Sequence, residues 1–187
     1  MKGILYGIGI GPGDPEHITL KAVRMMKEVD VIAAPGTDVK ETLAYRIAVQ
    51  AVPEIEQKEM LPIDMPMTLD KEVLVKAHKH GAETIETILK EGKTIGFITL
   101  GDTTVYSTFS YLEKIVKEHG FKTVYISGIT SFCAAAATLG IPLTEWQEPL
   151  HVIPAVHQLD DKLALDGSYV LMKSGRQMPK VKEILTK

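Results

Sequence analysis

Apolar positions along this chain fall into short unbroken runs separated by longer stretches of helical period. Gly3 to Ile10 reads GILYGIGI, which suits a strand covered on both faces of a parallel sheet. The loop Gly11-Pro12-Gly13 follows. Asp14 is then an N-cap and Pro15 takes the first helical position. Ile18, Ala22, Met25, Met26 and Val29 line one face of that helix. Val31 to Ala34 is a second apolar run, stopped by Pro35-Gly36. Leu43, Ala44, Ile47 and Ala51 mark another helix. Leu74, His78, Gly81, Ile85 and Ile88 mark a longer one ending near Gly92. Thr94 to Leu100 is a strand running into Gly101-Asp102. Phe109, Leu112, Ile115 and Val116 give the next helix, closed by Gly120. Lys122 to Ser127 is a further strand. Gly128 opens a helix of small residues, Thr130 to Leu139, which Gly140 and Pro142 terminate. Leu150 to Ala155 and Ser168 to Lys173 are two more strands, with a short polar helix behind them.

Strands alternating with helices predict an α/β fold with a parallel sheet. The pattern divides into an N-terminal α/β domain, residues 1–127, and the start of a second α/β domain, residues 128–187. About sixty residues bury little core by themselves, so the second domain is expected to be incomplete.

Composition narrows the function classes. The 187 residues are 45% hydrophobic and 24% charged, as in ordinary globular proteins. A net charge of −3 leaves no basic footprint for nucleic acid. No run of about eighteen apolar residues suggests a membrane span, and no signal-peptide pattern opens the chain. Cys133 is the single cysteine, so no internal disulfide forms and a reducing cytoplasm is the expected compartment.

Gly7-Ile8-Gly9-Ile10-Gly11-Pro12-Gly13 invites a dinucleotide reading and fails it. The third glycine of G-x-G-x-x-G falls on Pro12 in one register and on Asp14 in the other. Asp14 and Glu16 stand at the expected helix start, and Pro12 and Pro15 donate no N–H, so a pyrophosphate is disfavoured there. Two further loops leave predicted strand ends, where open α/β sheets bind ligands. One is Leu100-Gly101-Asp102-Thr103-Thr104-Val105-Tyr106-Ser107. The other is Ser127-Gly128-Ile129-Thr130-Ser131-Phe132. Backbone and hydroxyl groups in them suit a neutral or zwitterionic ligand. Each has a plainer reading. Asp102, Thr130 and Ser131 also make good helix caps. Ala134 to Ala137 suit close helix packing, and Cys133 suits a small buried position. His78, His80 and His157 show no metal-ligand spacing.

Three segments together resemble the tetrapyrrole (corrin/porphyrin) methylase family: YGIGIGPGDPEHITLKA (Tyr6 to Ala22), LGDTTVYSTFSYL (Leu100 to Leu112) and SGITSFCAAAATLGIPL (Ser127 to Leu143). Thr103 and Ser127 replace prolines of the family pattern. The YSTFSYL continuation is most similar to the branch that methylates C20 of precorrin-2 or cobalt-factor II, within cobalamin biosynthesis. The resemblance implies two α/β domains with S-adenosylmethionine between them, a tetrapyrrole substrate and a homodimer. Carried over by motif, the cofactor contacts are Pro12, Leu100, Gly101, Asp102, Val105, Thr130, Ser131 and Met172. The family's last contact falls past Lys187, so the chain reads as shortened. The chemistry needs alignment and exclusion of water rather than a metal or a covalent nucleophile. Asp102 or Tyr106 would assist with the proton lost from the methylated carbon, and Lys173 and Arg176 would meet substrate carboxylates. A methylase for another ring carbon or for a modified protein side chain, or a non-catalytic ligand-binding module, are the alternatives.

Overall fold

The computed structural model describes residues 2–68, 70–154, 163, 165–175 and 178–185. It divides into two compact units, Met1–Ser131 and Phe132–Lys187.

In the first unit, β1 (Ile4–Gly9), β2 (Val31–Pro35), β3 (Glu59–Ile63), β4 (Ile95–Thr99) and β5 (Lys122–Ile126) form one sheet in the order β3-β2-β4-β1-β5. Every pairing is parallel. Leu5 of β1 stands between Ile95 of β4 and Thr123 of β5, so the first strand is flanked by two of the last. The apolar runs of β1, β2 and β4 reflect cover on both faces. Side chains alternate between them. Ile8, Ile10, Ile32, Ala34 and Ile98 join the core under α1 (Leu20–Glu28) and α2 (Leu43–Ala51). Leu5, Val31, Ala33, Ile95 and Phe97 join the core under α3 (Lys71–Lys90) and α4 (Phe109–Glu118). Gly7 leaves room for Phe109: a Cβ there would lie 2.3 Å from its ring.

The sequence reading has no counterpart for β3. Its only buried residue is Ile63, and Pro62 lacks an N–H. Proline is tolerated because β3 is an edge strand bonded to β2 alone. The helix start expected at Asp14-Pro15 is also corrected. Asp14 Oδ1 accepts from Glu16 N at 2.8 Å, but it caps a three-residue 3-10 turn, Pro15–His17. The α-helix begins at Leu20, where Thr19 Oγ1 accepts from Ala22 N at 3.2 Å. Asp14 and Glu16 therefore flank a turn, not the α1 N-terminus, and the anion argument loses that support.

Helix α3 has 20 residues, none buried before Gly81. A Cβ at Gly81 would meet Ile63 Cγ2 at 2.8 Å and Leu112 Cδ2 at 3.1 Å.

The second unit contains α5 (Ser131–Leu139, whose first residue belongs to unit 1), β6 (Leu150–Pro154), β7 (Ser168–Met172) and α6 (Met178–Leu185). Strands β6 and β7 pair in parallel, Leu150 opposite Ser168. Val181 packs with Ile153, Leu163 and Leu171. Cys133 is exposed, not buried. His157 and Arg176 lie outside the described residues.

Candidate functional site at three strand ends

Strands β4, β1 and β5 are parallel neighbours, so the loops after them leave the same edge of the sheet. Glycine lets those loops touch through their backbones. Gly11 N donates to Gly101 O at 3.2 Å, and Gly101 N donates to Gly11 O at 2.8 Å. Both residues have positive φ, 74° and 69°, a conformation natural to glycine. A Cβ on Gly9 would stand 2.7 Å from Gly101 O and from Gly128 N. On Gly128 it would stand 2.2 Å from Gly101 O. The three loops thus meet where Gly9 and Gly128 leave no room for a side chain and Gly11 and Gly101 hold a positive φ.

Asp102 joins two of these loops. It is 8% exposed. Oδ1 accepts from Thr104 N at 2.7 Å and also bonds the Thr104 hydroxyl. Oδ2 accepts from Gly128 N at 2.8 Å. The plain capping alternative is corrected by this geometry. Helix α4 starts at Phe109, whose N–H goes to Ser107 Oγ at 3.2 Å, not to Asp102. Thr103, where the family resemblance expects proline, is fully buried, and its Oγ1 donates to Ile126 O at 3.2 Å. It fastens the second loop to the end of β5. Its role was not legible in the sequence, because the partner carbonyl lies 23 positions away.

The remaining predicted residues take several positions. Pro12 and Val105 are half-buried, and Leu100 and Ser131 are exposed. Thr130 precedes α5, and its Oγ1 is buried without a hydrogen-bond partner among the described residues. Buried hydroxyls usually find a hydrogen-bond partner, which sets this atom apart from the bonded Thr103 and Ser107 hydroxyls of the neighbouring loop. His17 Nδ1 has the same status, and a Cβ on Gly11 would lie 3.0 Å from His17 Cβ. Tyr106 is held at φ 48°, unusual for a bulky residue, and is 43% exposed. These all belong to the first unit. Met172 ends β7 in the second unit and is half-buried; Lys173 follows it, exposed, at φ 57°.

Between residues 10–19, 100–108 and 127–131 there is no lysine or arginine. Besides the carboxylates of Asp14, Glu16 and Asp102 and the His17 ring, the donors and acceptors are backbone groups and hydroxyls. Such a set fits the ribose hydroxyls and the zwitterionic amino acid part of S-adenosylmethionine and offers no countercharge to a polyphosphate. Among the described residues, no cluster of His, Cys, Asp and Glu could hold a metal, and no helix is long and apolar enough to cross a membrane.

Comparisons with known proteins agree with this fold. The family model of the tetrapyrrole (corrin/porphyrin) methylases matches residues 4–187. A Methanocaldococcus jannaschii protein named "Probable cobalt-precorrin-2 C(20)-methyltransferase" is 38% identical over 171 residues, covering 91% of this chain and 72% of that protein. The solved structure of a cobalt precorrin-4 methyltransferase matches with a TM-score of 0.73 at 23% identity, over 98% of this chain and 74% of the other. That of a uroporphyrin-III C-methyl transferase from Thermus thermophilus, complexed with S-adenosyl homocysteine, matches with a TM-score of 0.66 at 22% identity. It covers 98% of this chain and 72% of the other.

Proposed function

Because the chain belongs to the tetrapyrrole (corrin/porphyrin) methylase family, we propose that it transfers a methyl group from S-adenosylmethionine to C20 of a corrin precursor in cobalamin biosynthesis. The observation that carries the C20 assignment is the 38% identity to the Methanocaldococcus jannaschii relative across 91% of the chain. The three-loop junction supports the cofactor assignment.

S-adenosylmethionine supplies a methyl group already activated by its sulfonium. The residues of this chain hold and align. Thr130 Oγ1, the Ser131 hydroxyl and the backbone at Leu100 and Gly101 are the binding groups of the first unit, with Pro12 and Val105 as apolar neighbours. Met172 is the proposed contribution of the second. Asp102 is a positioning residue, since both its oxygens are engaged within the loops. The functional protein is proposed to be a cytoplasmic homodimer; sedimentation tests the dimer, and cell fractionation the compartment.

The test is incubation with isotopically labelled S-adenosylmethionine and either precorrin-2 or its cobalt form, followed by NMR of the product. A label at C20 is expected. A label at another ring carbon, or none, rejects the assignment.

A further inference from the structure

Helix α3 is longer than the sheet it covers. It connects two parallel strands and so runs against them, entering at the edge where the three loops lie. Gly81 is level with Ile63, the last residue of β3. The helix before Gly81, Lys71 to His80, therefore extends about 15 Å past the strand ends at 1.5 Å per residue.

This overhang continues the stripe that faces the core lower down. Residues seven apart on a helix differ by only about 20° in direction. Ile85 is fully buried, and His78 lies seven residues before it. The His78 ring stacks on Tyr111 in the first turn of α4, centroids 4.7 Å apart and planes 7° from parallel. Burial holds the His78 imidazole below its usual pKa, so the ring is neutral near pH 7. Lys71 lies seven residues before His78 on the same stripe, with Leu74 and Val75 between them. Val75 is 65% exposed.

Charge at this edge is uneven. The three loops of the site carry no cation, and the first holds Asp14 and Glu16. The segment between β2 and α2 offers Lys40 together with Asp38 and Glu41. The segment between β3 and α3 offers Asp64 and Asp70, and Asp70 is spent capping α3 through Glu72 N and Val73 N. A ligand bearing carboxylates around a flat apolar ring needs a cation beside an apolar platform. The inward stripe of the overhang supplies both.

We infer that Lys71, Leu74, Val75 and the His78–Tyr111 ring pair receive the rim of the polycarboxylate macrocycle, with Lys71 Nζ bound to a substrate carboxylate as a specificity-determining contact. The class of substrate rests on the function proposed above. The test compares Lys71→Glu and Lys71→Gln with Lys122→Glu, an exposed lysine at the start of β5 and so at the other end of the strands, in the full chain. Binding is read with uroporphyrin, a porphyrin carrying carboxylates around its rim, by fluorescence. Turnover is read with precorrin-2, and cofactor affinity by calorimetry with S-adenosylhomocysteine. Lys71→Glu should raise the uroporphyrin Kd and the precorrin KM about ten-fold or more. Lys71→Gln should have a smaller effect of the same sign. kcat, cofactor affinity and melting temperature should stay within about two-fold or a few degrees, and Lys122→Glu should behave like the parent. Equal effects from Lys71→Glu and Lys122→Glu would overturn the inference, because they would mark a general charge effect. So would a change in sedimentation on Lys71→Glu, which would make the stripe a contact between copies. Failure of the parent to methylate C20 counts against the proposed function, and uroporphyrin binding by the variants still decides the role of Lys71.

Discussion

Asp102 is bonded through both carboxylate oxygens, and this determines what its amide analogue can do. An asparagine has one oxygen and one NH2. Whichever way it is turned, either Thr104 N–H or Gly128 N–H faces a donor. Asp102→Asn is therefore expected to cost roughly 1–3 kcal/mol, the cost of a buried donor left without a partner. Urea unfolding measures it. A residue that merely capped a helix would lose almost nothing, since asparagine caps as well as aspartate. The glycines at the junction make a second prediction at this scale. Gly128→Ala places Cβ 2.2 Å from Gly101 O, backbone that cannot swing aside. Overpacking of this kind costs about 1–3 kcal/mol or more, so the melting temperature should fall by several degrees. Gly13→Ala, with nothing within 4 Å of the new Cβ, is the matched control and should melt like the parent.

At the scale of elements, β2 and β4 are joined at their starts by an exposed clasp. Asp30 Oδ2 accepts from Thr94 N and from Thr94 Oγ1, each at 2.7 Å. The Thr94 N–H and then its hydroxyl hold the Asp30 carboxyl below the usual aspartate range. A lowered folded-state pKa means the clasp is fully present above the unfolded aspartate value and is lost as pH falls through the folded one. The stability of Asp30→Asn should therefore fall less steeply between about pH 4 and pH 2 than that of the parent, as followed by urea midpoints across that window. Parallel slopes would show that the clasp contributes nothing to acid sensitivity.

Which elements can be read from the sequence follows from how completely each is covered. Strands β1, β2 and β4 appear as apolar runs because helices pack on both sheet faces above them. β3 leaves no such run: it sits at the sheet edge, and of Glu59 to Ile63 only Ile63 is buried. The start of α1 was misplaced because Asp14-Pro15 is a sound helix opening, and the same two residues open a 3-10 turn equally well. The glycines and hydroxyls of the site are visible as composition. Their meeting is not, because Asp102 finds Gly128 26 residues away and Thr103 finds Ile126 23 residues away. The overhang of α3 shows only when the helix is laid beside the shorter strand that ends at Ile63.

At the scale of the whole molecule, the first unit holds the five-stranded sheet, both of its cores and the meeting of the three loops. Residues 1–131 expressed alone are therefore expected to fold cooperatively, with one sigmoidal thermal transition and a far-ultraviolet spectrum of mixed helix and strand. A non-cooperative melt would show that this unit depends on the rest of the chain.

The position of β1 has a consequence for how the protein is made. Strand β1 leaves the ribosome well before the two strands that flank it, β4 and β5. Leu5 pairs with Ile95 and Thr123. At about 5–20 residues per second, the apolar segment GILYGIGI waits on the order of five to twenty seconds for its first neighbour. During that interval it is an exposed, unpaired strand, the kind of surface that chaperones bind and that aggregates when nascent chains crowd together. Ribosome-bound chains halted before β4 should therefore be caught by a chaperone at residues 3–10, and chains released after β5 should not.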